Sequence, residues 1–154
     1  DPIGINILRD GYALIDTGLF EPLQALLYRG RIRPTKESIN AYWAKAPATL
    51  HNSRWHIMQA TIDLYWSAID AAHAALMTQG HIPPSPSHVA DMLREELVAK
   101  GKLEERYAKI MDMLYKLMKS ITHREILYID GKDYDDYLKD TQDFLDRMKK
   151  FVRE

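Results

Sequence analysis

The chain has 154 residues, a length that suits one compact domain or a domain with a short appendage. Because 46% of the residues are hydrophobic and 28% are charged, the composition excludes intrinsic disorder. The net charge of -1 excludes the strong field of a dedicated nucleic-acid binder, although a local basic patch stays compatible with it. The lack of cysteine excludes disulfides, thiolate metal sites and thiol catalysis within this chain. No apolar run approaches the length of a membrane span, so we expect a soluble cytoplasmic protein with no membrane contact.

Two β-favouring segments flank a turn signal near the N-terminus. Residues 5–8 and 12–15 are rich in β-branched, aliphatic and aromatic side chains, and Asp10-Gly11 lies between them. Asp-Gly is typical of hairpin turns because glycine adopts positive φ freely. A lone hairpin is marginal in water and needs a sheet to join, yet nothing downstream predicts further strands. We therefore expect residues 1–34 to be a hairpin and helix left from an upstream domain, and residues 35–154 to form a separate helical domain.

From residue 19 onward, apolar side chains recur at the 3.6-residue spacing of helices. Glycines and prolines between these segments predict where each helix begins and ends. Pro47 predicts an interruption, because a proline inside a helix removes one hydrogen bond. We expect helices over approximately residues 19–30, 35–46, 49–79, 86–101, 103–121 and 133–152. The predicted fold class is therefore all-α, an up-and-down helical bundle preceded by a short β-hairpin.

The helix predicted for residues 49–79 carries a stripe of small side chains. Ala68, Ala71 and Ala75 lie beside a broad apolar face, so this helix should be central in the bundle. Small side chains let another helix approach closely. The stripe therefore indicates either a close helix pair within the chain or a homodimer.

The sequence contains none of the common phosphate-loop or metal motifs. Gly-x-x-x-x-Gly-Lys, Gly-x-Gly-x-x-Gly and His-Glu-x-x-His are all absent. Asp70 and His73, with Asp63 seven residues before Asp70, could serve as metal ligands or as a polar strip that forms hydrogen bonds between helices. The six histidines show no ligand spacing, so we predict no metal site and no cofactor.

Two basic groups could contact phosphate. One lies between the predicted hairpin and bundle, and the other lies where the predicted helix over residues 103–121 ends. Each group could bind the phosphates of a nucleotide or RNA through charge-assisted hydrogen bonds. Each could equally be a solvated junction or a set of cations that complements a helix dipole. The first group comprises Arg29, Arg31, Arg33 and Lys36, and the second comprises Lys116, Lys119, His123 and Arg124. From these we select Arg31, Arg33, His123 and Arg124 as candidate substrate-binding residues.

Residues 65–76 resemble the HEPN domain family, together with Gly80, Pro83-Pro84 and Ser87-His88-Val89 after them. The order of the later helices agrees with that family, and the resemblance covers about residues 35–152. Residues 7–12, 18–20 and 30–34 look like the end of a nucleotidyltransferase domain of the kind fused to HEPN domains. The resemblance implies an up-and-down bundle that forms a homodimer and works with a nucleotidyltransferase domain in cis or in trans.

The resemblance leads to one main interpretation of the function and two alternatives. Ribonuclease members of the family carry Arg, four to six residues, and then His, and this sequence contains no such pair. The leading interpretation is therefore a non-catalytic module that dimerises and binds a nucleotide, RNA or protein substrate beside a nucleotidyltransferase. One alternative is a degenerate ribonuclease of a toxin–antitoxin type, in which Lys116 or Lys119 acts with the catalytic residue His123. The other alternative is a purely structural assembly domain.

Overall fold

The computed structural model describes residues 2–82 and 84–153, so Pro83 of the predicted turn lies outside the described residues. The chain divides into two compact units, unit 1 (Asp1–Ala48) and unit 2 (Thr49–Glu154). A short 3₁₀ turn, Pro86–His88, precedes the fourth α-helix, and a π-helical turn, Arg94–Val98, follows it. The α-helices are α1 (Pro2–Asp10), α2 (Phe20–Tyr28), α3 (Lys36–Thr78), α4 (Val89–Leu93), α5 (Glu105–Thr122) and α6 (Gly131–Arg153).

The predicted N-terminal β-hairpin is wrong. The segment expected as its first strand lies in helix α1, and residues 12–15 form no strand; the described residues contain none at all. The amide of Gly11 donates to the carbonyl oxygen of Ile7 at 2.7 Å, which continues the helical hydrogen-bond pattern into the expected turn. Ile3 and Ile7 are one helical turn apart, so the same aliphatic residues also fit a helix. A helix satisfies its own backbone groups, whereas a hairpin without a sheet does not gain enough to form.

In unit 1, polar side chains cap the start of α2 and connect α2 to α1. The Asp16 carboxylate accepts three backbone amide hydrogen bonds of 3.0 Å at the start of α2. The Gln24 side-chain amide donates to the carbonyl oxygen of Leu8 at 3.1 Å, and the Tyr28 hydroxyl donates to that of Arg9 at 2.7 Å. The contacts of Gln24 and Tyr28 satisfy carbonyl groups at the end of α1, which have no partner within the helix.

Unit 1 has no hydrophobic core of its own among its described residues. None of its residues 3–48 is buried, and the two clusters of buried apolar side chains both belong to unit 2. Tyr12, Leu14 and Ile15 are each at least 90% exposed. Burial of apolar surface is the main force that stabilises a folded domain, so this unit has large apolar surfaces that its own residues leave uncovered.

Unit 2 is a bundle of packed helices whose buried apolar side chains form one large and one small cluster. Its centre contains Tyr65 and Leu76 of α3, Met111 of α5, and Phe144 and Met148 of α6, all of them buried. This unit agrees with the prediction of an all-α bundle. The helix predicted for residues 103–121 has six apolar side chains at intervals of three and four residues; five of them are buried and Ile110 is half-buried. They are Leu103, Tyr107, Ile110, Leu114, Leu117 and Ile121.

The small-residue stripe of α3 is used within unit 2. Ala68 and Ala75 are fully buried in its core, and Ala71 is half-buried against it. The stripe therefore serves close helix packing inside the chain. The predicted interruption at Pro47 is wrong, because that residue lies inside α3, which continues through it.

Candidate functional site

The helices of unit 1 enclose a cleft of about 910 Å³. This volume lies near the upper end of the range for ligand pockets, about 300–1,000 Å³. Helix α1, the end of α2, the loop after it and the first turns of α3 all contribute side chains. The lining residues are Ile5, Asn6, Leu27, Ile32, Arg33, Pro34, Thr35, Ser38, Ile39, Tyr42, Trp43 and Ala46.

The walls of this cleft, which we call the unit 1 cleft, are mainly apolar and aromatic. On the α3 side, Trp43 is 76% exposed, Ile39 is 56% exposed and Tyr42 is 52% exposed. Leu27 and Ile32 on the other side are half-buried. Full burial of a side chain of this size is more favourable than exposure to water by about 1.5–3 kcal/mol. The cleft is therefore a surface on which an apolar group would bind favourably.

Among the residues that the structure describes, Arg33 is the one charged residue that lines the cleft. Its Nε donates to the carbonyl oxygen of Gly30 at 2.8 Å, which directs the side chain from the loop. Gly30 ends α2 in the left-handed region with φ of 65°, a conformation that glycine adopts without steric cost. The amides of Gly30 and Arg31 donate to carbonyls of the last turn of α2 at 3.0 and 2.9 Å. The helix end therefore sets where the guanidinium lies.

The hydroxyl groups of Thr35 and Ser38 in the cleft form hydrogen bonds at the start of α3. The amide of Ser38 donates to Thr35 Oγ1 at 3.2 Å, and the hydroxyl of Ser38 donates to the Thr35 carbonyl oxygen at 2.9 Å. Such contacts cap the first turn of a helix. Arg33 is consequently the lining residue with charge-assisted donors to offer to a ligand.

The structure brings Arg31 and Arg33 together on the loop between α2 and α3, both with exposed side chains. Arg31 does not line the cleft. In the part of the chain that is described, neither guanidinium forms an ion pair with an acidic residue. A bound anion could therefore contact both without breaking an existing pair.

His123 and Arg124 belong to unit 2, where α5 ends. The amide of His123 donates to the carbonyl oxygen of Lys119 at 2.8 Å, and Arg124 adopts a φ of 61°. The left-handed conformation at Arg124 ends the helix in the position that glycine usually occupies. Both side chains are exposed. The four predicted phosphate contacts thus form two pairs, one in each unit.

The cations predicted for the ribonuclease alternative are held by residues earlier in α5. Lys116 Nζ lies 2.7 Å from Asp112 Oδ2, one turn toward the N-terminus. Lys119 Nζ lies 5.6 Å from the centre of the Tyr115 ring, again one turn earlier. His123 follows both lysines, so these contacts draw the ammonium groups away from its ring.

The predicted polar strip of α3 provides no metal site in the residues that the structure describes. Asp63 and Asp70 are exposed, and His73 Nε2 is buried without a hydrogen-bond partner. Nowhere in the described ranges do three or more His, Asp or Glu side chains cluster around one point. The helices of those ranges are also all too short or too polar to cross a bilayer.

The sequence pattern does not predict the cleft, although Ile39, Tyr42 and Trp43 all fall in the helix predicted for residues 35–46. The sequence does contain one sign of such a cleft. The segment before residue 48 has many large apolar residues and is too short to bury them all within one small unit. Periodicity shows that a helix has an apolar face, but it does not show whether another part of the chain covers that face. Comparison of the chain with protein-family models, with curated proteins and with solved structures finds no match.

Proposed function

We propose that this chain is a non-catalytic binding and assembly module whose working surface is the unit 1 cleft. The observation that carries the proposal is that unit 1 exposes large apolar side chains around a cleft of about 910 Å³, with no buried residue among its residues 3–48. A binding partner that covers these side chains would supply the apolar burial that the unit lacks.

The accessible area supports an interface of substantial size. The chain exposes 10974 Å². Two separate globular bodies of the lengths of units 1 and 2 would expose about 9,500 Å² together. The excess is on the order of 1,500 Å², compared with about 800 Å² that each partner contributes to a standard protein interface. Because every buried residue in the described part of the chain lies in unit 2, we assign this excess mainly to unit 1.

The resemblance of residues 7–12, 18–20 and 30–34 to the end of a nucleotidyltransferase domain suggests the class of partner. In this proposal a nucleotidyltransferase domain, in cis or in trans, packs on unit 1, while unit 2 is the HEPN-like helical bundle. The homodimer that the resemblance implies would then form through surfaces outside the cleft. Such a module would present a substrate to the transferase and would perform no chemistry itself.

The proposal predicts that an apolar anionic dye binds the unit 1 cleft. The dye 8-anilinonaphthalene-1-sulfonate combines aromatic rings with one negative charge, so it suits apolar walls beside Arg33. Titration with the full chain should raise the dye emission, and Trp43→Ala should weaken dye binding roughly tenfold by removing a central aromatic contact. Trp55→Ala is the matched control, since Trp55 is 53% exposed in unit 2. Equal effects of the two substitutions, or no dye binding at all, would contradict the proposal.

A nucleotide is the second candidate ligand, favoured by the proximity of Arg33 to exposed aromatic rings. A base could stack on Trp43 or Tyr42 while a phosphate binds the guanidinium. Fluorescent ATP and a short single-stranded RNA serve as probes. Replacement of Arg31, Arg33, His123 and Arg124 together by alanine should weaken binding by about tenfold or more. If binding is unchanged in this variant, the assignment of these residues to phosphate is wrong.

A further inference from the structure

The unit 1 cleft has the form of a groove between helices. Its α3 wall extends from Thr35 to Ala46, about 17 Å along the helix axis. The opposite wall comes from α1, the end of α2 and the following loop. Among the residues that the structure describes there is no strand whose edge an extended peptide could join. A groove of this kind accommodates about three turns of an added helix.

The apolar side chains of the α3 wall have the spacing that receives a helix. Ile39, Trp43 and Ala46 follow one another at intervals of four and three residues, the spacing of a helix–helix seam. Trp43 and Ile39 are exposed, and no described side chain of the protein fills the space between them and the opposite wall. An occupant helix with apolar residues at i, i+3, i+4 and i+7 would interdigitate with this seam.

The charges near the groove indicate which charges the bound helix should carry. Arg33 lines one end, and Arg29, Arg31 and Lys36 lie within four residues of it in the sequence. Glu37 is the acidic residue of this segment. The surplus of positive charge favours carboxylates on the part of the occupant that meets this end.

A second copy of the chain is a poor candidate for such an occupant. Its acidic amphipathic helix is α6, which starts with several aspartates. Phe144, Met148 and Phe151 on the apolar face of α6 are buried in the core of unit 2. That helix could enter the groove of another copy only if unit 2 unfolded.

We propose that the unit 1 cleft binds an amphipathic helix of a different protein or domain, with acidic residues at the end that contacts Arg33. This inference rests on the proposed function, because it names the element by which the partner docks on unit 1. Apolar contacts with Ile39 and Trp43 supply the affinity, and the ion pair with Arg33 fixes the direction in which the helix lies.

Three synthetic peptides of about twelve residues test the inference with the full chain. The first carries leucines at i, i+3, i+4 and i+7 and glutamates at one end; the second has the same composition in scrambled order; the third has lysines for glutamates. Fluorescence anisotropy of labelled peptides gives the dissociation constants. The acidic amphipathic peptide should bind about tenfold or more tightly than either of the other two.

Charge reversal supplies the sharper measurement. Arg33→Glu should weaken binding of the glutamate peptide and strengthen binding of the lysine peptide, each by roughly tenfold. The control is Lys109→Glu, which makes the same change in net charge at an exposed position of α5 in unit 2 and should leave both affinities unchanged. Trp43→Ala should weaken both amphipathic peptides while Trp55→Ala does not.

The outcomes separate this inference from the proposed function. If the dye binds at Trp43 but the scrambled peptide binds as well as the amphipathic one, unit 1 is a binding surface and the helix inference is overturned. Equal responses of Arg33→Glu and Lys109→Glu would also overturn it. Light scattering that shows a dimer lost on Trp43→Ala would identify a second copy as the occupant instead. Failure of both dye and peptides would refute the proposed function itself.

Discussion

At the scale of single residues, Asp16 shows how one side chain determines local structure in unit 1. Its carboxylate accepts amide hydrogen bonds from residues 18–20 at 3.0 Å and from Glu21 at 3.2 Å. These hydrogen bonds, the largest contribution being that of the Phe20 amide, lower the pKa of Asp16 from its ordinary value of 3.8. Because the carboxylate satisfies donors that a helix start leaves open, it fixes where α2 begins.

The lowered pKa of Asp16 predicts a pH dependence of α2. A carboxyl group with a folded-state pKa below its unfolded value stabilises the fold fully above the unfolded value. This stabilisation is lost as the pH falls through the folded-state pKa, so the helicity of unit 1 should decrease in strongly acidic solution. Asp16→Asn keeps a capping oxygen and should remove this part of the acid transition, whereas Asp16→Ala should reduce α2 helicity at neutral pH as well. Circular dichroism and amide NMR shifts of α2 measure both effects, and identical acid titrations of wild type and Asp16→Asn would contradict the assignment.

The basic residues differ in how strongly their surroundings hold them. Lys116 is paired with Asp112, whereas Arg33 has, among the described residues, a hydrogen bond from Nε to the Gly30 carbonyl oxygen and no ion pair. Exposed ion pairs contribute little to stability, but they do determine where a long side chain lies. The ion pair of Lys116 with Asp112 therefore counts against the ribonuclease alternative, because it draws the ammonium group away from His123. The spacing of Lys116 and His123 in the sequence does not by itself orient that group.

At the scale of elements, the sequence predicts most helices because their apolar residues repeat at helical spacing. The predicted segment from Leu103 to Ile121 corresponds to α5, and its apolar positions are buried almost throughout. The predicted hairpin failed because β-branched residues and an Asp-Gly pair are weak signals when no sheet is present. Gly11 does not adopt positive φ, and its amide belongs to a helical hydrogen bond instead.

Helix α3 shows a second limit of local rules. Pro47 removes one backbone donor, and from that rule alone the sequence predicts two helices where there is one. The lost bond concerns a single carbonyl group, while residues on both sides of the proline retain good helical spacing. Whether a helix continues through a proline therefore depends on the rest of the fold. The cleft shows the same limit, because the sequence pattern places Ile39 and Trp43 on a helix but does not show that their side chains are exposed.

At the scale of the whole molecule, the units differ in the burial that stabilises them. Unit 2 buries large side chains such as Tyr65, Ile69 and Phe144, each no more than 2% exposed. Unit 1 instead relies on hydrogen bonds that the Asp16 carboxylate accepts and that the Gln24 and Tyr28 side chains donate. A hydrogen bond contributes about 0.5–1.5 kcal/mol net, less than the burial of a large apolar side chain. Unit 1 should therefore be the less stable part of the chain when no partner is bound.

Amide hydrogen exchange of the full chain tests this difference in stability. Amides of α5, α6 and the part of α3 after residue 57 should exchange slowly, and those of α1 and α2 should exchange much faster, because local opening follows local burial. Ile69→Val removes one buried methylene group and should cost about 1 kcal/mol, which accelerates the slowest amides of unit 2 about fivefold. The amides of α1 and α2 should not respond, since their opening does not require unit 2 to unfold. If instead they slow to the rate of the unit 2 core, or accelerate together with it in Ile69→Val, the two units unfold as one body and unit 1 needs no partner for its stability.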